Sequence, residues 1–173
     1  MAWVVFLRGV NVGGHKAFRP SVVAKDLAQL DVVNIGAAGT FVVKKSVNST
    51  LLRTELSRRL PFVAEFMICR ARDVSDLGSE DPFPRAGPDV TRYVSVLSKR
   101  PRTLVPLPIR QPANDDWQVK VVEVRSVFAL SLHRRVGRTL VYPNEVVEKH
   151  FGVPATTRNW NTVRAICDVL KAG

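Results

Sequence analysis

The order of apolar patterns in the first 70 residues is the strongest constraint on the fold. Four strand-like runs follow one another there: Ala2–Leu7, Val32–Ile35, Phe41–Val43 and Phe62–Cys69. Two helices are predicted between them from apolar residues at helical spacing: Val23, Leu27 and Leu30 in the first, and Leu52, Leu56 and Leu60 in the second. The resulting β-α-β-β-α-β order is that of ferredoxin-like folds.

Proline divides the chain, since seven of its 11 prolines lie between Pro82 and Pro112. The stretch rich in proline and glycine over residues 79–91 is predicted to join two subdomains, residues 1–78 and residues 92–173. The length of 173 residues suits one globular domain or two small subdomains that share a core.

The second subdomain is predicted to mix strands with helices. Its elements are, in order, a strand at Arg92–Ser98, a long loop at Lys99–Asp116, a hairpin of Gln118–Val124 and Val127–Leu132, and two helices at Asn144–Phe151 and Asn159–Leu170. The predicted fold class is α+β, with a ferredoxin-like N-terminal half followed by a small α/β half that ends in helices.

The net charge of the chain indicates which classes of binding partner it attracts. The chain has 26 basic and 15 acidic residues, a formal net charge of +11, and 18 of the cations are arginine. The excess is concentrated in residues 1–60, with nine basic and three acidic residues, and in residues 92–138, with ten and three. Such a field attracts polyanions, nucleic acid first and an acidic membrane surface second; the alternative is a solvated cationic surface that binds no polyanion.

Other residue types exclude several classes of protein. The two cysteines, Cys69 and Cys167, are too few for a disulfide framework, and His15, His133 and His150 have no metal-ligand spacing. We expect no metal and no cofactor. The apolar runs are too short to cross a membrane, and the N-terminus lacks the basic start of a secretory signal, so a cytoplasmic location without membrane association is expected.

The loop after the first strand, Arg8-Gly-Val-Asn-Val-Gly-Gly14, is the first candidate site. It is not a nucleotide-hydrolysing P-loop, because His15 stands where that motif needs lysine. Its glycines allow a nest of backbone N–H groups that holds an anion; the alternative is a turn that needs positive φ. The candidate ligand-binding residues of this loop are Arg8, Asn11, Gly13 and Gly14.

The segment Pro154-Ala-Thr-Thr-Arg-Asn-Trp-Asn-Thr-Val163 is the second candidate site. A threonine there is predicted to cap the last helix, whose first turn then offers free N–H groups to phosphate or carboxylate. Trp160 lies on the apolar face of that helix, which favours a core anchor over a base-stacking platform. The candidate ligand-binding residues are Thr156, Thr157, Arg158, Asn159 and Asn161.

These two segments, with the turn Val136-Gly-Arg138, resemble the bacterial family called domain of unknown function 1697. The resemblance implies a compact α+β protein in the cytoplasm, and it implies no particular activity. One loop departs from the family, which usually has Gln-Ser-Gly-Asn where this chain has Ala37-Ala-Gly-Thr40. If that loop supplies polar ligands in relatives, the site is altered or lost here.

Three hypotheses for function follow. The first is a non-catalytic binding module for a phosphate-bearing partner, nucleic acid or nucleotide, that uses Arg8, Arg158 and helix-end N–H groups. The second is a small-molecule enzyme in which the Gly9–Gly14 loop cradles phosphate or an oxyanion. The third is a protein-interaction module with a basic surface. Loss of ligand binding in Arg8→Ala and Arg158→Ala is expected for the first two and not for the third.

Overall fold

The computed structural model describes residues 1–10, 16–103 and 105–173 of the chain. Helices combine with two antiparallel sheets, so the predicted α+β class is confirmed. The chain forms two compact units, one of residues 1–81 with 161–173 and one of residues 82–160. The sequence-based division instead assigned residues 92–173 to a single subdomain. The C-terminal residues cluster with the first unit because they carry an apolar helix face, on which Ile166 and Cys167 are buried.

The first unit begins with a four-stranded sheet and its helices. The elements are β1 (Trp3–Arg8), α1 (Pro20–Asp26), β2 (Val32–Ile35), β3 (Thr40–Val43), α2 (Ser49–Arg59), β4 (Glu65–Arg70) and α3 (Ala71–Leu77). The strand order is β2-β3-β1-β4, and every neighbouring pair is antiparallel. Each β-α-β connection therefore spans one intervening strand. Helix α3 was not predicted.

The core of this unit follows from helical and strand periodicity. Leu27, which follows α1, and Leu52 and Leu56 of α2 belong to one apolar cluster with Phe41 of β3, and all four side chains are fully buried. At the turn between β2 and β3, Gly39 has φ +77°, and a Cβ there would lie 2.8 Å from the Leu7 Cβ. This turn thus requires glycine at that position.

The second unit is a five-stranded sheet with one helix. Its elements are β5 (Thr91–Leu97), β6 (Ile109–Gln111), β7 (Val119–Arg125), β8 (Phe128–His133), α4 (Pro143–Phe151) and β9 (Ala155–Asn159). The order is β6-β7-β8-β5-β9, again antiparallel throughout. The final helix of the chain, α5, spans Trp160–Lys171. Helix α4 packs Val147 and Phe151 into an apolar cluster with residues of β7 and β8.

Two expectations for this half are corrected. The predicted loop Lys99–Asp116 contains β6, which pairs with β7. Thr156 and Thr157 do not cap the last helix; they lie within β9, hydrogen-bonded to β5. A threonine that precedes a helix can either cap the helix or form part of a strand, and here pairing with β5 makes both threonines strand residues. None of the helices in the described part of the chain has the length and apolar character that a membrane crossing needs.

Candidate functional site

The first predicted site is described only in part. Asn11, Gly13 and Gly14 lie outside the described residues. Arg8, the last residue of β1, is directly opposite Glu65 of β4, and its Nη1 lies 3.3 Å from the Glu65 Oε1. Gly9 has φ +65°, which fits the turn reading of this loop. An anion at Arg8 would have to compete with the carboxylate of Glu65.

The second predicted site has a different geometry from the one expected. Arg158 is directly opposite Val94 on β5 and only 6% exposed. Its Nη1 donates to the Thr156 Oγ1 at 2.6 Å and to the Thr157 carbonyl oxygen at 3.1 Å. Burial lowers the pKa of Arg158 to about 10, so the side chain is charged at neutral pH. A guanidinium so enclosed acts within the fold, and an external polyanion does not reach it.

The predicted residues are divided between the two units. Arg8 and the exposed Asn161 belong to the first, whereas the residues of β9 belong to the second. Thr157 forms part of a partly buried polar chain: its Oγ1 lies 2.6 Å from the Ser95 Oγ and donates to the Asn144 Oδ1 at 2.8 Å. The Glu148 Oε1 extends this chain, accepting from the Asn144 Nδ2. The bond between Thr157 and Asn144 joins β9 to α4, and the bond between Ser95 and Thr157 joins β9 to β5, so the chain links the helix to the sheet.

Cations gather around an aromatic ring at one end of the second sheet. The Trp117 ring lies 3.9 Å from the Arg134 Cζ and 5.3 Å from the Lys120 Nζ. Lys120 is directly opposite Arg110, so two like charges share one cross-strand position, which is unfavourable without a counter-charge. We call Arg110, Trp117, Lys120 and Arg134 the Trp117 cluster.

The carboxylates nearest in sequence to the Trp117 cluster do not neutralise it. Asp115 and Asp116 are exposed, and Arg134 bonds to this segment through the backbone carbonyls of Asp115 and Trp117. Among the ion pairs of the described residues, none includes Arg110, Lys120 or Arg134. The cluster is thus a local excess of positive charge.

Three aromatic rings occupy the other face of the same sheet end. The ring of His133, the last residue of β8, is parallel to that of Tyr142 within 5°, with centroids 6.4 Å apart, and meets Tyr93 edge-on. The His133 Nε2 lies 2.9 Å from the Val141 carbonyl oxygen, and this contact connects the loop between β8 and α4 to the end of β8. Tyr142 is 52% exposed. We call Tyr93, His133 and Tyr142 the tyrosine stack.

Sequence reasoning missed both groups of residues. The Trp117 cluster draws on positions from 110 to 134, and the tyrosine stack on positions from 93 to 142, so no local motif contains either. One signal was present: His133 and Arg134 are consecutive at a strand end, and consecutive strand residues point to opposite faces. The loop that follows adds the exposed cations Arg135 and Arg138.

The two thiols are predicted to be unreactive in the folded protein. Both are buried, as expected from the sequence; burial, with a smaller contribution from Asp73, raises the pKa of Cys69 to about 12, and burial also raises the pKa of Cys167. The thiolate is the reactive form. We expect an aromatic disulfide reagent at pH 8 to label both thiols of the denatured protein. In the native protein the same reagent should label fewer than about one thiol in ten. Rapid labelling of native protein would contradict the burial of these side chains.

The described residues contain no group of three or more histidine, cysteine or acidic side chains able to hold a metal ion.

Comparison with known proteins identifies similarity of two kinds. A family model described as "Protein of unknown function (DUF1697)" matches residues 1–125, a span that includes the first predicted site and excludes the second. A conserved bacterial protein from Streptococcus pneumoniae has a similar structure, with a TM-score of 0.57, 15% identity and coverage of 98% of each chain. No curated protein matches the chain.

Proposed function

The chain belongs to the DUF1697 family of proteins of unknown function, and we propose that it is a binding module for nucleic acid. The observation that carries the proposal is the Trp117 cluster, where Arg134 and Lys120 lie against the Trp117 ring, Arg110 is directly opposite Lys120, and no described carboxylate forms an ion pair with any of the three. The unit that contains it, residues 82–160, has 13 basic and six acidic residues. Phosphates would neutralise this cluster and relieve the repulsion between Arg110 and Lys120.

The tyrosine stack supports nucleic acid over a simpler polyanion. Single strands are bound by combining a basic groove with aromatic side chains on which bases stack, each stacked base contributing about 1–3 kcal/mol. Tyr142 has an exposed ring already held parallel to His133, so little conformational entropy is lost when a base stacks on it. Single-stranded RNA or DNA is therefore the preferred partner class.

Fluorescence anisotropy of labelled, mixed-sequence single-stranded RNA and DNA tests this proposal. If three to five cations neutralise phosphates, the logarithm of the binding constant should fall against the logarithm of salt with a slope of about −2 to −3.5. Arg134→Ala should reduce the size of this slope by about 0.7. The matched control is Arg72→Ala, which removes an exposed arginine of α3 in the first unit and should change affinity less than twofold.

Other outcomes would replace the proposal. Absence of binding at about 50 mM salt would mean that the net charge only solvates the surface, and would favour an acidic protein partner. Competition by a mononucleotide at equal concentration would favour a nucleotide ligand. The enzyme hypothesis for the Gly9–Gly14 loop stays a prediction, since most of that loop lies outside the described residues.

A further inference from the structure

A groove opens at the opposite end of the β7–β8 hairpin from the Trp117 cluster. It lies where the chain leaves β5 and where β7 turns into β8, it is open to solvent on one side, and its volume is about 370 Å³. Pockets of this size hold small organic ligands. The groove and the proposed nucleic-acid surface share no residue, so the inference below does not depend on the proposed function.

The floor of the groove is apolar. Val105 and Val124 pack against the core cluster of the second unit, to which Phe151 belongs as the last residue of α4. Leu107 adds a side chain that is 39% exposed. Apolar surface open to water in a concave position favours a ligand with an apolar body.

One wall of the groove carries an oriented cation. The Arg100 Nε donates to the Ser126 Oγ at 3.1 Å, which holds the guanidinium beside the groove and leaves both Nη groups for a ligand. No carboxylate in the described ranges forms an ion pair with Arg100, and Glu123, which precedes Val124 on β7, pairs with Arg125 at 2.6 Å. The Thr103 hydroxyl lines the same groove.

We propose that this groove binds a small carboxylate with an aliphatic or aromatic body. The carboxylate accepts two hydrogen bonds from the Arg100 guanidinium, the geometry that arginine offers best, and its body covers Leu107, Val124 and Phe151. The carboxylate binds the charged wall and the body of the ligand contacts the apolar floor. An apolar alcohol or an inorganic anion would therefore make only one of these two contacts.

Titration of isotope-labelled protein with octanoate, followed by amide chemical shifts, tests the proposal. We expect saturable shifts centred on Val124, Ser126 and Phe151, with a Kd of about 1 mM, the range for a ligand of about ten non-hydrogen atoms. Arg100→Ala should weaken binding about tenfold. Arg102→Ala, an exposed arginine of the same loop that does not line the groove, should change it less than twofold.

Two further titrations separate the contributions of the walls. 1-Octanol should bind at least about fivefold more weakly than octanoate, because it lacks the charge that Arg100 recognises. Leu107→Ser should lower the affinity for octanoate while leaving the fold intact, since the Leu107 side chain is already partly exposed. Equal binding of octanol and octanoate, equal shifts with inorganic phosphate alone, or unchanged binding in Arg100→Ala would each overturn the proposal.

Discussion

Reversing two charges of the Trp117 cluster, Arg110→Glu with Lys120→Glu, should lower nucleic-acid affinity at least about 100-fold at low salt. The two residues are directly opposite each other on β6 and β7, so both new carboxylates would face the same phosphates. Such like-charge contacts cost several kcal/mol, and tenfold in affinity corresponds to about 1.4 kcal/mol. Anisotropy titrations at constant ionic strength measure the change.

A matched double reversal separates local contact from overall charge. Arg58→Glu with Arg72→Glu changes the net charge by the same amount, but at exposed positions on α2 and α3 of the first unit. It should reduce affinity less than about fivefold, since neither residue belongs to the Trp117 cluster and the lower net charge weakens only the general attraction to a polyanion. Similar losses in the two double variants would show that binding depends only on net charge, and would remove the Trp117 cluster as the site.

Replacing Phe41 by alanine should lower the free energy of unfolding by about 3–5 kcal/mol. Phe41 is fully buried between the sheet and the helices of the first unit, so its removal leaves a cavity in that core. Since domains are stable by only about 5–15 kcal/mol, this is a large fraction of the total. Urea unfolding should show a lower midpoint with an unchanged slope.

The control for this variant is Val63→Ala, at a side chain that is 90% exposed. Its free energy of unfolding should change by less than about 0.5 kcal/mol. A loss of stability below about 1 kcal/mol in Phe41→Ala would contradict the packing of this core.

The burial of Phe41 also bears on function. RNA-recognition modules stack bases on exposed aromatic residues of their sheet, whereas the Phe41 ring faces the interior. The proposed nucleic-acid surface therefore lies in the second unit.

Local patterns were sufficient for the strands of the first unit and for helices α1 and α2, but not for α3 or for the place of residues 161–173 in this unit. Val32–Ile35 and Thr40–Val43 are short apolar runs around a turn that needs glycine, and the leucines of α2 repeat at helical spacing. Such signals involve residues only a few positions apart, so the sequence carries them without knowledge of the fold. The same is true of the β7–β8 hairpin and of helix α4, both predicted close to their observed bounds.

Long-range pairing decided the rest. Ala155–Asn159 is a strand because it meets β5, with Thr157 opposite Ser95 some 62 positions earlier, and that register turns Arg158 into a buried side chain. Strand pairing likewise brings Arg110 beside Lys120 and assembles the Trp117 cluster. By itself the sequence determined the fold class, most helices and strands, and a net charge of +11. Where that charge gathers, and which cations are buried, only the tertiary structure decided, because a strand's side chains take their neighbours from partners distant in the chain.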